Sequence, residues 1–247
     1  MDVRSRCWTG AGVINTRDLG GLPLRDGRRT AFDALIRCGS GTSAIPPVAR
    51  VLAARHGRVR LVDLRGDGEV VDEPDHQGIL VRRLTMSDPV HRGRGGATRD
   101  AAYFVAHYRR LLPRAFEVAG EVMSILADDP SPVVVTCRLG KDRTGLVVMV
   151  VLRVLGVAPR WIVRDFALTA RFFTAAGEWV DQYASTRGEP PVAVLRRLVL
   201  PPSVPVRTLA EIDRLAADAV ARHALLGIDE QVARRAALRL TLPGGAP

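Results

Sequence analysis

The stretch Cys137 to Gly145, CRLGKDRTG, gathers a thiol, two guanidiniums, a carboxylate, a hydroxyl and the only lysine of a 247-residue chain. Cys137 and Arg143 stand at the two ends of a segment that would leave a strand and open a helix. Such a loop turns backbone N–H groups inward, and the helix N-terminus adds partial positive charge, so it is a natural anion site. The same field favours a thiolate, whose pKa in settings of this kind falls to roughly 3.5–7.5 from about 8.5. Arg143, at the mouth of the helix, can grip two phosphate oxygens with its planar fork. Gly140 permits close backbone approach or an unusual φ. Thr144 can hydrogen-bond the sulfur as it attacks and leaves. A Walker A loop is excluded, because its first glycine would have to be Val135 and Asp142 replaces its Ser/Thr. The residue types point to nucleophilic phosphate chemistry.

Elements must hold that loop in place. Val133-Val134-Val135 is a short β-branched run, expected of a buried parallel strand, and Thr144 to Val157 reads as an apolar helix closed by Gly156. Upstream, residues 31–38, 60–64 and 78–85 read as strands, with a helix from Pro46 to His56. Residues 91–97, HRGRGGA, are expected to be a mobile Gly-rich loop. From Asp100 to Asp128 the apolar spacing is helical, with Pro113 expected to divide or kink it. Helices are expected over Trp161–Leu168, Phe172–Tyr183, Val206–Ala224 and Asp229–Leu240, with a Pro-rich connection near 190–205. Strands alternating with helices predict an α/β domain whose central sheet is mainly parallel. The length permits one domain over 1–247, with residues 159–241 as a helical C-terminal part serving as lid or buttress.

Composition narrows the partners. The formal net charge is +10 and charged residues make up 25%, yet the arginines are scattered, aromatics are few, and no helix-turn-helix or zinc-finger pattern appears. Nucleic acid is therefore not the expected partner; an acidic substrate or a merely solvated basic surface fits better. The bias of arginine over lysine suggests a GC-rich, bacterial genome. Three cysteines at distant positions make no disulfide framework. With no apolar leader in the first residues and no span-length apolar run, a cytoplasmic location is expected. The five histidines lack metal-ligand spacing, so neither metal nor cofactor is expected.

The loop resembles the Cys-x5-Arg-Ser/Thr phosphate-binding signature of the cysteine-dependent tyrosine phosphatase superfamily. Its Gly-Lys-Asp-Arg-Thr-Gly core is similar to the bacterial branch that includes dual-specificity and lipid-active members. Ile14 to Gly21, INTRDLGG, resembles that branch's N-x-R-D-L-G-G motif and holds the chain's only asparagine. Weaker echoes are Asp63-Leu64-Arg65 with Glu69 downstream, Tyr103 with Tyr108, Asp165-Phe166 and the C-terminal LLGIDEQVARRAALRL. Together they run from about residue 12 to 241. One position departs: the family usually has histidine before the nucleophile, and here Thr136 can supply a hydrogen bond but no positive charge.

The resemblance implies a tyrosine-phosphatase-like fold and roles for each match. Cys137 would form a phospho-cysteine, Arg143 would bind phosphate and the transition state, and Asp142 would be the general acid, with Asp88 as its competitor. Arg138, Leu139, Gly140, Lys141 and Thr144 would complete the phosphate cradle, Lys141 either meeting a substrate phosphate or anchoring the loop. Asn15, Arg17 and Asp18, and likewise Asp63 and Arg65, would brace the loop or touch substrate, and Asp165 would support it. Phosphotyrosine protein is the family's default substrate. A nucleotide or sugar phosphate, a phosphoinositide, and a pseudophosphatase that binds without turnover are the alternatives. A rhodanese-like sulfur transferase would not need Asp142, Arg143 and Thr144 in this order.

Overall fold

The computed structural model describes residues 6–10, 12–71, 76–87 and 100–242. The Gly-rich segment 91–97 and Asp88 lie outside the described residues. The strands are β1 (Ile14–Asp18), β2 (Arg29–Thr30), β3 (Leu35–Gly39), β4 (Val59–Asp63), β5 (Ile79–Arg83), β6 (Val133–Cys137) and β7 (Thr241–Leu242). The helices are α1 (Pro47–His56), α2 (Ala101–Asp128), α3 (Asp142–Val154), α4 (Pro159–Ala175), α5 (Gly177–Ser185), α6 (Pro191–Leu198), α7 (Ser203–Leu215), α8 (Ala219–Leu226) and α9 (Glu230–Leu240).

Five strands form the central sheet in the order β1-β3-β6-β4-β5. β3, β6, β4 and β5 run parallel, and only β1, at the edge, is antiparallel. β6 lies between β3 and β4 and every one of its residues is buried, which explains its unbroken apolar run. Alternation along the strand then assigns its faces. Val134 packs with Ile36, Cys38, Leu52 and Leu61 toward α1, while Val133, Val135 and Cys137 belong to the larger core on the α2 and α3 side. In register, Cys137 stands beside Gly39 and Thr136 beside Asp63, so the thiol sits at the carboxyl edge of the sheet. That edge is where open α/β sheets bind ligands.

Four expected boundaries change. α2 is one helix of 28 residues that contains Pro113. Pro113 falls on the exposed face, where water can take up the carbonyl freed at Arg109, so the ring is tolerated without dividing the helix. The helix expected over Val206–Ala224 is two, because the Asp218 carboxylate caps a new one by accepting from the Ala221 N–H. The Pro-rich connection contains α6, with Pro191 at its first turn. α4 runs on to Ala175, and the break before α5 falls at Ala176. The C-terminal helices α7, α8 and α9 pack against α2 and buttress it. Among the described residues, no helix is long and apolar enough to cross a membrane.

The contact of α2 with α8 depends on one missing side chain. A Cβ on Gly120 would stand 1.8 Å from the Leu226 carbonyl oxygen. In an open helix Gly→Ala stabilises by roughly 0.5–1 kcal/mol; here the clash reverses the sign. Gly120→Ala is expected to lower the unfolding free energy by about 1–3 kcal/mol, read as a lower urea midpoint.

Candidate active site

The loop between β6 and α3 is shaped by what holds its carbonyls. Cys137 O accepts from the Ser40 N–H at 2.9 Å, and Arg138 O from the Gly41 N–H at 2.9 Å. Leu139 O and Gly140 O both accept from the Asn15 side-chain amide, at 3.2 and 2.9 Å, and Gly140 O also from Arg37 Nη2 at 2.7 Å. In a planar trans peptide the N–H points opposite to the carbonyl of the same unit. Four consecutive carbonyls drawn toward β1 and β3 therefore turn the N–H groups of Arg138, Leu139, Gly140 and Lys141 away from them. This is an anion cradle made by tethering its back.

Close packing makes the tether tight. Gly140 has φ +62°, and a Cβ there would stand 2.5 Å from the Cys38 carbonyl carbon. A Cβ on Gly39 would meet the Leu139 backbone at 2.7 Å. Asn15 itself has φ +47°, inside a β1 segment whose register shifts between Ile14 and Arg17. Asparagine tolerates that conformation better than most side chains, and its amide is thereby aimed at the loop.

Behind Asn15 lies a buried charge cluster. Asp165 of α4 takes Arg6 Nη2 at 2.8 Å and Arg17 Nε at 3.0 Å on one oxygen, and Arg37 Nη1 at 3.0 Å on the other. All four side chains are at most 4% exposed. Burial alone would raise the Asp165 carboxyl, but Arg17, Arg37 and Arg6 overrule it and hold it far below the usual carboxylate range. Arg37, desolvated and repelled by Arg17, comes down to about 10. Arg17 passes the order on, donating from Nη1 to Asn15 Oδ1 at 2.7 Å.

The catalytic-type side chains occupy the other side of the loop. Arg143 donates from Nη1 and Nη2 to the two carboxylate oxygens of Glu69, at 2.7 and 2.8 Å. That uses the end-on edge of the fork and leaves Nε with the remaining Nη2 proton to meet two phosphate oxygens. Against burial, the Arg143 bond and the Gly66 N–H bring Glu69 down to about 2. Asp142 Oδ1 accepts from Lys141 Nζ at 2.5 Å and from the Tyr108 hydroxyl. Burial works to raise the Asp142 carboxyl, but the Lys141 charge and these two hydrogen bonds hold it below its ordinary value. Asp142, Arg143, Arg138, Glu69, Asp67 and His107 line a polar cleft of about 440 Å³.

Several expected contacts fall differently. The Lys141 ammonium is buried, bonded to Asp142 and seated 5.0 Å over the Phe104 ring, contacts that fit the anchoring one of its two expected roles. Among the described residues the buried Thr144 hydroxyl has no hydrogen-bond partner, so the expected bond to the Cys137 sulfur is not made. Asp18 faces away from the loop, accepting from the Gly20 and Asp33 N–H groups at 2.6 and 2.8 Å to hold a turn. Asp63 and Arg65 form a buried pair whose guanidinium donates to Gly41 O, Ser43 O and Ala44 O. They staple the segment after β3 and do not face the cleft. Thr136, fully buried, pairs its hydroxyl with Ser40 Oγ at 2.6 Å.

Sequence reasoning missed Arg6 and Arg37, which carry no motif of their own, and gave Glu69 no role. An acidic residue a short way beyond Asp63-Leu64-Arg65 was the available signal for Glu69. It also gave no part to Trp179 and Tyr183 of α5, which border a second, more apolar cleft of about 310 Å³ beside Leu139 and Arg138.

A family model described as "Tyrosine phosphatase family" matches residues 9–234. No curated protein matches the chain.

Asp165→Asn removes the countercharge of three buried guanidiniums and is expected to cost about 3–5 kcal/mol of stability, measured by urea unfolding. The sign with pH follows from the depressed carboxyl: its contribution is complete above about pH 4 and drains as the pH falls below that. The wild type should therefore lose stability steeply below pH 4, and Asp165→Asn should lose less over the same interval.

Proposed function

The chain belongs to the tyrosine phosphatase family, and from that premise we propose that it hydrolyses phosphate monoesters through a cysteinyl-phosphate formed on Cys137. The observation that carries this reading is the orientation of four successive loop amides around the end of β6, with Arg143 at the mouth. Phosphoryl transfer asks mainly for positioning and charge stabilisation, and those amides with the free edge of Arg143 supply both. Asp142, on the first turn of α3 and lining the cleft, is the general acid of the proposal. The paired motifs INTRDLGG and CRLGKDRTG support placing the chain in the bacterial dual-specificity and lipid-active branch. Residues 1–247 would then form one phosphatase domain, of which the family model matches 9–234.

The proposed substrate is a phosphotyrosine side chain, the family's default. A cleft of about 440 Å³ with Leu111 among its lining residues has room for an aryl phosphate. A panel of phosphotyrosine peptides, nucleotides, sugar phosphates and inositol phosphates on purified protein tests that choice. A preference for one of the small molecules would replace it.

Cys137→Ser is expected to abolish turnover while keeping affinity for phosphate or vanadate, because backbone and Arg143 make the cradle. Hydrolysis retained in that variant would remove the covalent mechanism. Arg143→Lys is expected to lose on the order of 10²-fold in kcat, since a point charge can neither span two oxygens nor hold Glu69 with two parallel bonds. A mild loss would make Arg143 an attractor alone.

A further inference from the structure

Tyr108 and Lys141 reach Asp142 from two different elements, α2 and the loop, and both end on the same oxygen, Oδ1. Tyr108 is wholly buried, and its hydroxyl is pushed well above its ordinary range by burial and by Asp142. It therefore stays a donor throughout the working pH range. Lys141, 3% exposed, is fixed by the Phe104 ring beneath its ammonium. Two donors on Oδ1 leave Oδ2 for the cleft that Asp142 lines.

Resting on the proposed phosphatase reading, we infer that Tyr108 and Lys141 are positioning residues that reserve Oδ1 of Asp142 and make Oδ2 its reacting oxygen. In the first step the Sγ–P bond forms and the P–O bond to the leaving group breaks. The proton on Oδ2 passes to the departing oxygen. In the second step a water oxygen attacks phosphorus, the S–P bond breaks, and the water proton returns to Oδ2. The two donors favour the ionised carboxylate, the form the second step uses, and confine the acid form to lower pH. The other groups around the carboxylate are His107 on α2, Arg143 on α3, Cys137 at the end of β6, and Arg138 and Glu69 across the cleft. None of these is altered by Tyr108→Phe.

The test removes the donors singly. In Tyr108→Phe and in Lys141→Met, the alkaline limb of kcat/KM for phenyl phosphate is expected to move to higher pH. For comparison, Asp142→Asn should lose about 10²-fold or more on phenyl phosphate and much less on p-nitrophenyl phosphate, whose leaving group needs little protonation. A loss that is uniform in pH, with no movement of the limb, would overturn the inference and leave Tyr108 a packing residue. A second measurement does not depend on turnover. In ¹³C-labelled Cys137→Ser protein, with the Asp142 carboxyl assigned by comparison with Asp142→Asn, its titration midpoint should rise when Tyr108→Phe is added. An unchanged midpoint would overturn the inference, whereas absence of turnover in the wild type with a shifted midpoint would overturn only the phosphatase reading.

Discussion

A carboxylate withdrawn from water stays ionised only where opposite charge meets it, and Asp165 is met by Arg6, Arg17 and Arg37 together. Three cations around one anion is an unbalanced cluster, so the surplus must be satisfied by other acceptors. Those acceptors are the structure's point. Arg37 turns its second nitrogen to Gly140 O, Arg17 turns to Asn15, and Arg6 turns to Asp18 O. A buried ion cluster is thereby converted into a fixed loop backbone, with α4, β1 and β3 all committed to the same knot.

The loop consequently has a back and a front. Its back is held by Asn15, Arg37 and the amides of Ser40 and Gly41, and its glycine contacts leave no slack. Its front carries the amides, Arg143 and Asp142, each already oriented by a partner. Glu69 keeps Arg143 aimed, and Tyr108 with Lys141 keeps Asp142 aimed. Arg143 and Asp142 thus each face the cleft with one edge already spoken for, which lowers the cost of ordering them around a bound anion.

Much of this was legible in residue order. The apolar run 133–135, the glycine in the loop and the helical pattern after it are local signals, and each reports a local requirement. INTRDLGG stood out only through its resemblance to a family motif, and not as a strand, because β1 is wholly buried yet mostly polar, so neither alternation nor an apolar run marks it. Of the two outcomes expected at Pro113, a divided or a kinked helix, the division does not occur. A proline is tolerated more easily where the carbonyl it frees can meet water, and exposure is not a property of sequence. Asp218 split an expected helix for a related reason, since a capping residue acts only where the chain can turn around it.

The sequence by itself determined the chemistry available: a thiol, a fork-shaped cation, an in-loop carboxylate and a strand–loop–helix to present them. Those are set by residue type and spacing within a dozen positions, and no distant partner can change them. Tertiary structure alone decided how each would be used. Lys141 turned in onto Asp142 and Phe104, Asp18 and the Asp63–Arg65 pair became turn staples, and Arg37 entered the site from 103 residues away. The physical reason is that buried charges choose their partners across the whole fold. A guanidinium is satisfied by whichever carbonyl or carboxylate packing brings within reach, and that distance is fixed only when the strands have found their order.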